Sequence, residues 1–521
     1  MADVDVAVIG SGAGGLAAAV ALARAGKRVA VFEQHYLPGG WCHSFNLEGY
    51  QFSPGVHYIG ALEEGGHLRQ VYEGLGVAND MTFIQLNPDG YDHIRIGDEQ
   101  FDIPAGKERY RARLKARFPS EARGIDGYLD GCQRMAEALV EALPAETLQD
   151  KLAVPWRLRS VLTDGLIPLD RYLDRFTRDP LLRGILSMQA GDHGVAPSRV
   201  PTIQHAAVVN HYLEGGYYPK GGARAIPKAF IKSLRRAGGT LQIRTPVEQI
   251  LMEGGRAIGV RLGDGTTVRA EHVISNADPH MTYSRLLPEG TAPARILRRL
   301  KKARYSISSL SLFFAVDMDL EAAGLDSGNL WYSPTPDINR AYEAALDPDP
   351  SAVEDLPCIF LTVTTLKDPG KFKGVHTCES FAFLSHEAFS AWSSSRYGDR
   401  PEDYEARKAF LMGLMFDRLD QLVPGLKDRV VFAELGTPLT NRYYLAAHQG
   451  NIYGTEKVLS QIGPFGFPVN TPIDGLYMCG ASTVGHGVAA ATRSGLAAAK
   501  NVLGCRLSEL LRPDNQRLRL I

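Results

Sequence analysis

Val4-Asp-Val-Ala-Val-Ile-Gly10-Ser-Gly12-Ala13-Gly14-Gly15, an alanine-rich run to Ala25, and then Arg28-Val-Ala-Val-Phe-Glu33 decide the fold. The pattern is strand, turn, helix and second strand within about 30 residues, which is the dinucleotide-binding unit. Gly10 permits the tight turn, Gly12 lets backbone approach a pyrophosphate, and Gly15 allows the helix to pack closely on the strand. Ala13 and Gly14 lie between them, where helix N–H groups and the positive dipole end face the phosphates. Glu33, at the tip of the second strand, is placed to accept hydrogen bonds from ribose hydroxyls. An acid there argues against a 2′-phosphate. A glycine-rich turn alone is weak evidence; the strand, helix and distal acid together make the site.

The flanking residues choose between nicotinamide and flavin nucleotides. Gln34-His-Tyr-Leu-Pro-Gly39-Gly40-Trp41 brings a second glycine pair soon after the acid. This pair resembles the extended FAD signature of the amine oxidase and phytoene desaturase superfamily, and glycine there admits a second close backbone approach. Far along the chain, Asp474-Gly-Leu-Tyr-Met-Cys-Gly480 reads as a strand, followed by a turn through His486, Gly487 and Val488 and a helix over 489–503. By itself this is an ordinary strand–turn–helix. In the superfamily such a segment returns to the first domain and lies along the flavin.

The resemblance narrows with Gly39-Gly-Trp-Cys-His-Ser-Phe45, Gly49-Tyr-Gln-Phe-Ser-Pro-Gly-Val-His57-Tyr58-Ile-Gly60, Gly191-Asp-His-Gly-Val-Ala-Pro197, Val209-Asn-His-Tyr212 and Gly215-Gly-Tyr-Tyr-Pro-Lys-Gly-Gly-Ala223. The chain is similar to the carotenoid isomerase and retinol saturase branch of the phytoene desaturase-like flavoproteins. The match is weakest between residues 280 and 430.

That resemblance implies non-covalent FAD, held by Gly10, Gly12, Ala13, Gly14, Gly15, Glu33, Gln34, Gly39, Gly40, Trp41, Val247, Gly480, Gly487 and Val488. It implies redox or isomerisation chemistry at carbon–carbon double bonds of a long apolar polyene, with NAD(P)H as one candidate external electron donor. Competing readings are an unsaturated fatty-acid substrate, a flavin-containing lipid carrier without turnover, and an amine oxidase. Trp41 stands where many relatives in the wider superfamily have arginine, which weakens direct transfer of amine oxidase or plain phytoene desaturase chemistry.

Histidine donates a proton near neutral pH and tyrosine donates while staying neutral. His57, His486 and Tyr58 are therefore the catalytic candidates; His193, His211 and Tyr212 share the matching phrases. No GxSxG, HExxH, EF-hand or P-loop pattern is present, and no metal site is expected.

With 57 basic and 58 acidic residues the chain offers no electrostatic case for nucleic acid. Six scattered cysteines without CxxC spacing point to a reducing compartment. No secretory signal or spanning helix is expected, giving a cytoplasmic placement, peripheral to a membrane if the basic and apolar tail from Leu503 onward, ending Arg517-Leu-Arg-Leu-Ile521, touches one; a frayed terminal helix is the favoured reading of that tail. Oligomeric state is left open.

The expected fold is α/β. A discontinuous Rossmann-type FAD-binding domain spans 1–60, 215–280 and 470–505. A substrate domain with a mixed β-sheet and helical lid spans 61–214 and 281–469. Residues 61–200 are read as most of the lid, with helical runs at Gly127–Leu143 and Leu181–Gln189 broken by Pro144, Pro155 and Pro168. Strands are expected at 305–316 and 358–366, a strand pair at 240–250, and a hairpin over 259–269 turning at Asp264-Gly265.

Overall fold

The computed structural model describes residues 2–142, 156–347, 356 and 358–521; Pro144, Pro155 and the end of the first lid helix lie outside them. One sheet has a parallel core in the order Leu476–Met478, Thr267–Ser275, Val4–Ile9, Val29–Phe32, Thr240–Gln242. Val6–Ile9 and Val29–Phe32 at its centre are apolar and buried throughout, as parallel strands covered on both faces must be. Alternation sorts their side chains. Val6 and Val8 pack under the helices Ala13–Arg24, Ala225–Arg236 and Gly487–Leu503. Ala7 and Ile9 face the other way, against Ile250, Val260 and Leu286. The long strand Thr267–Ser275 serves two sheets: its start pairs antiparallel with Arg256–Leu262, and its end runs parallel to Val4–Ile9. The Ala13–Arg24 and Gly487–Leu503 helices touch backbone to backbone, since a Cβ on Gly495 would fall 2.0 Å from the Gly14 carbonyl. The carboxyl ends of the strands, at Ile9, Phe32, Ser275 and Met478, meet at one edge of the sheet, where such folds bind nucleotides.

A second, mixed sheet runs Val430–Gly436, Ser308–Val316, His376–Leu384, Ile359–Val363, Asn329–Ser333, Asp92–Ile96, Glu99–Ile103. The strands expected near 305–316 and 358–366 are both in it. The hairpin at Asp264-Gly265 forms as expected, with Gly265 at φ +85° and the Asp264 carboxylate accepting from Thr266 N–H.

Three expectations need correction. The 240–250 run is not a pair: Arg244 takes a left-handed φ of +54°, and Pro246 follows, so the chain breaks. Thr240–Gln242 edges the parallel sheet, and Val247–Glu253 joins the antiparallel meander. The 61–200 segment is not all helix. It holds His67–Gly74, Lys107–Arg117, Ala122–Ala142, Leu169–Leu173 and Pro180–Ser187, but also the strands Thr82–Gln85, Asp92–Ile96 and Glu99–Ile103. The last two complete an edge of the mixed sheet, and the Asp92-His-Ile-Arg-Ile alternation hides a strand because its first inward position is an acid. The tail is not a frayed terminal helix: a short helix at Leu507–Leu510 is followed by Arg519–Leu520, which pairs parallel with Thr82–Phe83, and Leu518 is buried.

Candidate functional site

A cavity of about 540 Å³ begins at the carboxyl edge of the parallel sheet and continues to the face of the mixed sheet. Its first part is made of backbone. Gly12 caps the Ala13–Arg24 helix with no side-chain hydrogen bond, and His486 likewise leaves the Gly487–Leu503 helix without a side-chain cap. Two open helix N-termini thus sit at the cavity, a ready site for anionic phosphates. Gly40, at φ +55°, brings its Cβ position within 3.2 Å of Gly12 Cα, so the two glycine segments converge. Asn276 locks the third strand to them: its Oδ1 accepts from Gly15 N–H at 3.0 Å.

Of the residues expected to hold the nucleotide, Gly10, Gly12, Ala13, Gly14, Glu33, Gln34, Gly39, Gly40, Trp41, Val247, Gly480, Gly487 and Val488 all line this cavity. Gly15 does not; a Cβ there would lie 2.2 Å from the Gly10 carbonyl, so it serves helix–strand packing. Glu33 accepts from Ser11 N–H at 2.8 Å, Ser11 O–H at 2.6 Å and His35 N–H at 2.9 Å, which fixes its carboxylate at the strand tip. Arg493, on the Gly487–Leu503 helix, also lines the cavity, and its guanidinium has no hydrogen-bond or ion-pair partner among the described residues. Glycine cradles, uncapped helix ends and an unpaired cation fit a dinucleotide pyrophosphate.

The second part of the cavity is made of side chains. Trp331, Phe360 and Phe381 form an aromatic wall, Phe360 stacking on Phe381 at 4.6 Å. His57 sits against it, 5.2 Å from Phe360, with Nδ1 2.9 Å from the buried Glu379 carboxylate. Tyr58 stacks on Tyr212 at 4.3 Å, and its hydroxyl lies between Asp192 (2.8 Å) and Asp92 (3.1 Å). Behind it the wholly buried Lys367 ammonium donates to the His57 carbonyl and to Asn329 Oδ1. Burial pulls this lysine down to about 7 against the fields of Asp92, Glu379 and Asp326. Burial likewise pushes Asp92 up to about 6, with Asn329, Tyr58, Lys367 and Trp331 opposing it.

His486 lines the cavity too, but burial and nearby Lys457 push it down to about 3. It is neutral, and its Nε2–H donates to the Asp192 carbonyl at 3.0 Å. Its remaining Nδ1 is buried with no partner among the described residues, so the ring can accept a hydrogen bond there but has no proton free to give. His211 lines the cavity and accepts from Gly60 N–H. His193 does not line it; its Nε2 lies 3.2 Å from His205 Nδ1 in the core.

Sequence reasoning passed over Asp192, Asp92, Glu379, Lys367, Asn276 and Arg493. Asp192 stood inside a matching phrase; the others carry no local signal.

The profile of the flavin containing amine oxidoreductases matches residues 13–324. All-trans-retinol 13,14-reductase of Danio rerio is 33% identical, covering 97% of this chain and 87% of that protein. Chloroplastic prolycopene isomerase of Daucus carota is 28% identical over 96% of this chain and 80% of its own length. Among solved structures, putrescine oxidase bound to putrescine superposes with a TM-score of 0.62 at 16% identity, covering 96% of this chain and 99% of that one. At that identity the likeness is one of fold.

Proposed function

This chain belongs to the flavin containing amine oxidoreductase family, in the branch that holds all-trans-retinol 13,14-reductases and prolycopene isomerases, and from that premise we propose that it is an FAD-dependent oxidoreductase acting on carbon–carbon double bonds of a long isoprenoid polyene. The observation that carries the reading is the continuity of one cavity from a backbone nucleotide cradle to a wall of Trp331, Phe360 and Phe381.

When bound, FAD supplies hydride chemistry at its flavin ring. In this reading Gly12, Ala13, Gly14 and the helix N-termini hold the pyrophosphate, Glu33 and Gln34 the ribose side, and Val247 the adenine. Gly39, Gly40, Trp41, Gly480, Gly487 and Val488 lie along the rest of the cofactor. The cofactor unit is assigned to 1–60, 215–280 and 470–505, and the substrate unit to 61–214 and 281–469. The aromatic wall receives the polyene and excludes water. His57, oriented by Glu379, and Tyr58, oriented by two carboxyls, bring hydrogen-bonding groups to an otherwise apolar chamber. NAD(P)H is proposed as the external electron donor. Peripheral membrane contact is proposed because a polyene partitions into lipid, although no helix among the described residues is long and apolar enough to cross a membrane.

The test is product analysis by mass spectrometry after incubation of the purified protein with FAD, a reductant and a panel of retinoids, carotenoids, unsaturated fatty acids and amines. Two added hydrogens on a polyene support the reading. A changed cis/trans pattern with no mass change selects isomerisation. Turnover of the amines or fatty acids above any polyene overturns the substrate class.

A further inference from the structure

The reading above leaves open which group gives up a proton when an alkene is saturated. Proton counting around Tyr58 answers it. The phenol oxygen lies within hydrogen-bond distance of Asp192 Oδ2 (2.8 Å) and of Asp92 Oδ2 (3.1 Å). A phenol carries one proton and donates once. If both acids were ionised, one contact would set a bare carboxylate against a phenol lone pair in a buried site. One carboxyl therefore holds a proton and donates it to the tyrosine.

The surroundings say which. Asp92 Oδ1 accepts from Asn329 Nδ2 at 2.9 Å and from Trp331 Nε1 at 3.3 Å, and buried Lys367 favours its charge. Asp92 is thus built to be the anion and takes the Tyr58 proton. Among the described residues the Asp192 carboxyl has only Tyr58 as a hydrogen-bond partner, and Asp192 lines the cavity. Burial and the Asp92 charge hold it well above the usual carboxylate range. His486, donating to the Asp192 carbonyl, fixes this residue's backbone against the cavity.

We propose that Asp192 is the catalytic acid: its carboxyl O–H protonates the substrate alkene, and Tyr58 then turns its own O–H to hold the resulting carboxylate. This rests on the FAD-dependent reading of the site. In the step, the Asp192 O–H bond breaks and the alkene π pair forms one new C–H bond. Reduced FAD, when bound, would supply a hydride for the other carbon and be left oxidised, so that two electrons and two hydrogens would enter the product. Asp192 is left ionised and regains its proton before the next turnover. His486 is a positioning residue in this scheme.

Two measurements test it. Infrared spectroscopy of the FAD-loaded protein at neutral pH should show a protonated-carboxyl C=O band that disappears in Asp192→Asn and shifts, without disappearing, in Tyr58→Phe. Absence of any such band in the wild type, or its survival in Asp192→Asn, overturns the placement of the proton without any need for turnover. In the second measurement, pre-reduced enzyme is mixed with all-trans-retinol. Asp192→Asn should keep its FAD and bind retinol, yet saturate it about 10²–10⁴-fold more slowly, the range for a lost general acid. A wild type inert toward every polyene overturns the functional reading and the catalytic role with it. An active wild type with an unchanged Asp192→Asn rate overturns the acid assignment alone.

Discussion

The two halves of the cavity are built in opposite ways. The nucleotide cradle is backbone: Gly10, Gly12, Gly39 and Gly40 matter because they lack a Cβ, and the groups that would face a phosphate are main-chain N–H. The reactive wall is side chain: Tyr58, Asp92, Asp192, Asn329, Lys367 and Glu379 come from strands, short helices and loops up to more than 300 residues apart. Cradles depend on shape and should fail all at once when a side chain intrudes. Polar walls depend on proton and charge balance, so their failure should be graded and pH-dependent.

The largest effect expected from this contrast is in the cradle. Gly12→Val puts side-chain atoms where a Cβ already lies 2.6 Å from Asn276 Nδ2, at the face offered to the pyrophosphate. FAD affinity, measured by flavin fluorescence on titration, should fall at least about 100-fold, with the fold retained by circular dichroism. Retention of tight FAD by this variant would break the comparison from the cradle side.

Next comes the buried acid of the wall. Asp92→Ala strands Trp331 Nε1, leaves Asn329 Nδ2 only its 3.3 Å bond to the Tyr91 carbonyl, and removes the largest carboxylate field favouring the Lys367 charge. Removing one partner of a buried charge network costs about 3–5 kcal/mol, and denaturant unfolding should show a loss of that size.

Lys367 sharpens the same point through pH. Its folded value is depressed to about 7 from 10.5, so between these values the folded protein binds fewer protons than the unfolded chain. Stability from this group therefore rises with pH across that window and is flat below it. Relative to Lys367→Met, the wild type should gain stability from pH 7 to 10.5, which paired melting curves would record; parallel curves would contradict the buried, titrating lysine.

The smallest effect belongs to Trp41, which lines the cavity beside the glycine pair and packs where a Cβ on Gly55 would meet its ring at 2.9 Å. Trp41→Phe keeps an apolar ring there, so FAD affinity by the same titration should change by less than about fivefold, near 1 kcal/mol.

The contrast also explains what could be read from the chain alone. Glycine spacing is a local property, so the cradle was visible in the first 40 residues, and the 474–503 segment once the family resemblance was seen. Tyr58 was found for the same reason, inside a matching phrase. Asp92 was hidden because an acid at an inward strand position breaks the apolar alternation that marks strands, so its strand was taken for part of a lid. Lys367 and Glu379 were hidden because an isolated charge reads as surface until the mixed sheet buries it. The terminal Arg519–Leu520 strand is too short to announce itself without its partner at Thr82–Phe83. Asn276 follows the strand Thr267–Ser275, and its contact with Gly15 spans 261 residues and leaves no local trace.

In the proposed function the cradle and the aromatic wall belong to one reaction. Anaerobic single turnover tests it most directly: bound FAD is reduced with dithionite, excess reductant is removed, all-trans-retinol is added, and flavin absorbance and product mass are followed together. The oxidised flavin spectrum should return in step with a retinoid carrying two additional hydrogens, one equivalent per flavin. Flavin that stays reduced in the presence of retinol and of every other polyene tried, with no product formed, would contradict it.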